Sequence, residues 1–61
     1  MEFKAVIIDD EANLREVISI KVGKLDKDVK IVGQASNAED GYNLIKAINP
    51  DIVFLAITMP N

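Results

Sequence analysis

Three carboxylates in succession, Asp9-Asp10-Glu11, are the residues best placed by type and spacing to do chemistry. Adjacent carboxylates repel one another, and a divalent cation that takes hard oxygen ligands relieves the repulsion, with Mg2+ the favoured ion. A plainer reading stands beside this one, because acidic residues at a helix start are favoured by the helix dipole alone. The second candidate is position 56, at the end of the apolar run Ile52 to Ala56. In a sheet ordered 2-1-3 this run lies beside the one that leads into Asp9. The strands are then about 4.8 Å apart, and a side chain at 56 faces the carboxylates. Position 56 holds Ala, which offers neither a nucleophile nor a metal ligand. Taken alone, it reads as an ordinary small residue at a crowded strand end.

The elements that must position these residues can be read along the chain. Phe3 to Ile8 is a β-rich apolar run broken only by Lys4, as expected of a strand buried on both faces. From Asn13 onward Leu14, Val17, Ile18, Val22 and Leu25 recur at helical spacing, with Arg15, Glu16, Ser19, Lys21 and Lys24 mostly between them, which predicts an amphipathic helix. Acidic residues at its start and lysines at its end complement the helix dipole. Lys27-Asp28 predicts a turn, and Val29 to Ala35 a more alternating strand at a sheet edge, where Gly33 permits a local irregularity or close packing. Asn37 is a good N-cap for a second helix with Glu39 and Asp40 in its first turn, Leu44, Ile45 and Ile48 inward, and Asn49-Pro50 as its stop. Ile52 to Ala56 is the third strand, followed by loop residues Ile57 to Asn61. Strands alternating with helices give an α/β fold, β-α-β-α-β with a three-stranded parallel sheet and right-handed crossovers, as one domain over residues 1–61.

Composition narrows the function classes. Of 61 residues 49% are hydrophobic and nineteen are Val, Ile or Leu, so the chain wants a core rather than disorder. It is near the lower size limit for independent folding. With no Cys or His, disulfides and a Cys/His metal site are excluded as stabilisers, which leaves self-association. A net charge of −3 gives no basic footprint for nucleic acid or an anionic membrane. The chain also shows no secretory signal pattern and no apolar stretch of membrane-spanning length, and reads as soluble and cytoplasmic.

The segments VIIDDE at positions 6 to 11 and PDIVFLAITMP at positions 50 to 60 together resemble the receiver domain of two-component response regulators. The helix and strand spacing between them fits, including the Asn37-Ala38-Glu39-Asp40-Gly41 start of the second helix. The resemblance covers essentially the whole chain and about half of the family's domain, which implies a truncated flavodoxin-like half-domain. It further implies phosphoryl transfer from a histidine kinase to an aspartate at the end of the third strand, assisted by Mg2+. Carried over residue by residue, Asp10 is a direct metal ligand, Asp9 its supporting or water-mediated partner, and the backbone carbonyl of Thr58 a third ligand. Ala56 stands where the family calls for the phosphate-accepting aspartate. The family's Ser or Thr on a fourth strand, Lys on a fifth and switching aromatic have no counterpart within residues 1–61.

The resemblance with that departure implies a phosphorylation-incompetent, non-enzymatic segment that holds Mg2+ weakly, forms a homodimer and makes no nucleic-acid or membrane contact. A second reading is a decoy that pairs with a kinase or another receiver. Half of a flavodoxin-like flavin- or nucleotide-binding domain is a third. Three carboxylates in the first turn oppose it, since a phosphate site needs glycine- or hydroxyl-rich turns with N–H groups facing the anion.

Overall fold

A computed structural model describes residues 1–56. The chain runs β1 (Phe3–Asp9), α1 (Ala12–Leu25), β2 (Val29–Ala35), α2 (Ala38–Ile48) and β3 (Ile52–Ala56), with all strands parallel in the order β2-β1-β3. The predicted α/β fold, strand order and single-layer parallel sheet are therefore those observed. The two crossovers leave and return in opposite directions along the sheet. Their common right hand puts α1 and α2 on opposite faces.

β1 is central, and the core is built on it. Ala5, Val6, Ile7, Ile8 and Ala35 are the buried apolar residues among those described. Both helices pack on β1 and β2, and neither packs on β3. The β1–β3 register is unbroken from Ala5↔Ile52 to Asp9↔Ala56. It is fixed at its start by Asp51, whose N–H donates to the Lys4 carbonyl at 2.8 Å and whose carboxylate accepts from the Lys4 N–H at 2.8 Å.

The β1–β2 register shifts between Ala5↔Ile31 and Val6↔Gly33, which leaves Val32 as the extra residue of a bulge. A Cβ at Gly33 would lie 2.9 Å from Leu44 Cδ1 and 3.0 Å from Ile48 Cδ1. Gly33 thus serves both expected purposes, irregularity and close packing, and seats the inner face of α2. Gly41 repeats the device one layer deeper: a Cβ there would come within 2.7 Å of Ile8 Cδ1. Asn37 caps α2 through its side-chain oxygen, which accepts from the Asp40 N–H at 2.8 Å, and Asn49 ends it in the left-handed region at φ 54°.

One expectation about α1 is corrected. Its sheet-facing stripe is Arg15, Ile18, Ser19 and Val22, all half-buried, whereas Leu14, Val17 and Leu25 are exposed. The helix is turned so that one flank of its apolar stripe faces away from the sheet. The acidic run meets the start of the helix, as expected. Glu11 is the N-cap residue without a side-chain capping bond, and the first turn holds no acidic residue. No helix among the described residues is long and apolar enough to cross a membrane.

Candidate functional site

The carboxyl edge of the sheet between β1 and β3 is where the chain reverses its winding direction, and open α/β sheets take their ligands in such crevices. Asp9 is the last residue of β1, and it is 1% exposed. A carboxylate so buried must be hydrogen-bonded or carry a desolvation penalty. Asp9 meets that demand by half. Its Oδ1 accepts from the Glu11 N–H at 2.9 Å, folding the turn after β1 back on itself, while Oδ2 is buried without a hydrogen-bond partner among the described residues. Asp10 follows in the turn and is exposed.

Opposite Asp9, in direct register, stands Ala56. The sequence-based placement of position 56 beside the carboxylates is therefore what the sheet produces, with nothing on that side chain to bind a cation or attack an electrophile. Thr58, the expected third ligand, lies outside the described residues. No cluster of three or more His, Cys, Asp or Glu side chains suited to a metal occurs among the described residues. Asp9 and Asp10 supply hard oxygens, one of them buried and unpartnered. That donor set suits Mg2+ better than a softer metal, with most of the shell left to water.

Arg15 is the site residue that sequence reasoning missed. In the sequence it falls among the polar residues between the apolar positions, yet it is half-buried, and Nη1 donates to the Asp9 carbonyl oxygen at 2.6 Å. The signal was its place one turn into the helix that follows the carboxylates. A guanidinium there ties the end of β1 to α1 and sets a positive charge beside the turn. Arg15 also lines a cleft of about 480 Å³ with Gln34, Ser36, Asp40 and Asn43. That cleft lies at the carboxyl end of β2 rather than beside position 56, so its polar walls are separate from the β1–β3 crevice.

No family model matches the chain. Curated relatives do. It is 38% identical over 60 residues, 98% of the chain, to protein-glutamate methylesterase/protein-glutamine glutaminase 1 of Caulobacter vibrioides. Identity is 39% over 57 residues, 93% of the chain, to the transcriptional regulatory protein BtsR of Escherichia coli, and 41% over 56 residues, 92% of the chain, to an uncharacterized response regulatory protein of Vibrio cholerae. The chain spans 17%, 23% and 23% of these relatives respectively. One segment is thus shared by proteins whose names differ, an esterase/glutaminase and two regulators.

Proposed function

We propose that the chain is a response-regulator receiver segment that accepts no phosphoryl group, a reading supported by its 38–41% identity, along nearly its whole length, to regulatory proteins and a methylesterase/glutaminase. The observation that carries the proposal is the register pair Asp9↔Ala56. Acceptance of a phosphoryl group from a histidine kinase needs an oxygen nucleophile beside the cation-binding carboxylates, and a methyl group occupies that place. The reading makes the segment a signalling element and not an enzyme, in a soluble, cytoplasmic setting, with no nucleic-acid contact of its own at a net charge of −3.

Asp9 and Asp10 would hold Mg2+, with the Thr58 carbonyl as the third protein ligand of this proposal. When bound, the ion neutralises carboxylate charge that a phosphoryl group would otherwise meet. Two carboxylates and one carbonyl leave most of an octahedral shell to water, so the affinity is weak. Calorimetry should give a dissociation constant well above the low micromolar range, and a low micromolar value would show that another carboxylate completes the site.

The direct test is incubation with Mg2+ and a small phosphodonor, followed by intact mass spectrometry. An unchanged mass is expected, and a phosphoryl adduct on any carboxylate would refute the reading. A second reading, a decoy that pairs with a kinase or another receiver, is favoured by the exposed α1 flank of Leu14, Val17 and Leu25. Mixing with an intact receiver and its kinase separates the two, since only a decoy slows labelling of the intact protein. The flavin or nucleotide reading has the three carboxylates against it, and titration with either ligand should show no binding.

A further inference from the structure

The charges of this segment are sorted along the strand axis. Because the strands are parallel and each helix runs back over them, strand ends and helix starts share the carboxyl edge of the sheet. Asp9, Asp10, Glu11, Glu16, Glu39 and Asp40 gather there. The lysines lie toward the opposite edge, interspersed with the remaining carboxylates. Lys4 and Lys30 are near strand starts, Lys21, Lys24 and Lys46 in the later parts of the helices, and Lys27 in the turn before β2. Of the 7 Lys and Arg side chains, Arg15 alone stands at the carboxyl edge.

There it closes a ring. Asp9 Oδ1 accepts from the Glu11 N–H at 2.9 Å, the Glu11 carbonyl accepts from the Arg15 N–H at 3.1 Å, and the guanidinium returns to the Asp9 carbonyl at 2.6 Å. A neutral donor could close the same ring, so the permanent charge is what the turn itself does not require. The carbonyl and the carboxylate that it affects belong to one residue. Covalent geometry therefore keeps the guanidinium within about 10 Å of any cation on Asp9 Oδ2. At that distance a unit charge weakens the binding of a divalent ion about fourfold at the dielectric of water, and more than about a hundredfold at an effective dielectric of 20.

We propose that Arg15 is a built-in counter-charge that sets the cation affinity of the Asp9-Asp10 turn. It is not a ligand. Docked on the turn, it takes up the Asp9 carbonyl oxygen and opposes an arriving cation, so that the ion exchanges freely instead of being held. The half-buried position of Arg15 fixes the charge there and shields it in part from salt. This inference rests on the reading that Asp9 and Asp10 hold a divalent cation, and is independent of whether position 56 accepts a phosphoryl group.

Calorimetry of the full chain with Mg2+, at about 10 mM and then about 500 mM KCl, is the test, with Tb3+ as a second and more highly charged probe. Arg15→Gln should bind Mg2+ at least threefold more tightly at low salt, Tb3+ should show the larger ratio, and both ratios should shrink at high salt. Arg15→Lys, which keeps the charge, should stay within twofold of the unsubstituted chain. Asn13→Lys, at an exposed site in the same turn of α1, adds a second charge without entering the ring and should weaken binding. Circular dichroism checks that each variant is folded. Equal or weaker binding by folded Arg15→Gln overturns the role of Arg15 and leaves the cation site standing. So does a gain that Arg15→Lys shares or that salt leaves untouched, since either assigns the effect to packing of the turn. Unchanged binding in Asn13→Lys also counts against it. No binding of either ion by any of these chains overturns the cation site as well.

Discussion

Restoring a carboxylate by Ala56→Asp should destabilise the metal-free fold and make its stability depend on Mg2+. The new group would face Asp9 across adjacent strands, with the charges about 5 Å apart. At an effective dielectric of 20 the repulsion is about 3 kcal/mol, and in bulk water it is about 0.8 kcal/mol. Asp9 is buried but Ala56 is exposed, so the cost lies between these limits, about 1–3 kcal/mol. For a chain of this size each kcal/mol moves Tm by about 4–8 °C, which predicts a fall of roughly 5–20 °C in EDTA. A third oxygen donor should also tighten Mg2+ binding. At a concentration 100 times Kd the ion returns about 2.7 kcal/mol, enough to erase most of the loss, whereas the unsubstituted chain gains under about 0.5 kcal/mol if its Kd is at or above the ion concentration. Thermal unfolding of both chains at one fixed protein concentration, with EDTA and then with 10 mM Mg2+ (about the upper practical range), is the assay. Equal Tm values in EDTA, or equal Mg2+ shifts for the two chains, would show that position 56 does not face Asp9 and would remove the basis of the site.

Gly41→Ala should destabilise by about 1–2 kcal/mol in urea unfolding, since its Cβ would meet the fully packed Ile8 at 2.7 Å and overpacking outweighs the gain in helix propensity. Gly23→Ala, which meets nothing within 4 Å, should instead stabilise by about 0.5–1 kcal/mol in the same assay. Asn37→Ala removes the α2 cap and should cost about 1 kcal/mol of unfolding free energy, with Asn37→Ser retaining most of it. Arg15→Ala leaves the Asp9 carbonyl without its donor and should cost about 1–2 kcal/mol, while Mg2+ affinity by calorimetry rises because a cation is withdrawn from the turn.

The strands were legible because their signal is local. A buried central strand is a near-continuous apolar run, and Phe3 to Ile8 is one, while Ile52 to Ala56 was bounded at its start by Asn49-Pro50. The cap and stop of α2 were equally legible, since Asn37 and Asn49 act on backbone groups a few residues away. What failed was the rotation of α1. A stripe of apolar residues says that a helix has an inner face but not where within a broad stripe the sheet touches it. Leu14, Val17 and Leu25 occupy one flank of that stripe, and the contact falls on the other, around Ile18 and Val22. Arg15 was missed for the same reason, because its long stem allows a polar residue to lie against the sheet and deliver its head to a backbone carbonyl.

Asp9 shows why the site cannot be accounted for by the fold alone. If its carboxylate served only to close the turn after β1, Oδ1 and the Glu11 N–H would be sufficient, and an Asn could supply the same acceptor. Oδ2 would then be a buried acceptor with no return for its desolvation. On the proposed reading, a cation would supply the partner that this second oxygen, buried at the β1–β3 switch point beside an exposed Asp10, lacks among the described residues. A helix-dipole role at the N-cap falls to Glu11 and supplies no partner for Asp9 Oδ2 among the described residues. On the proposed reading the crevice would offer a cation its donors on the β1 side, while the methyl group of Ala56, in register with Asp9, offers none on the β3 side.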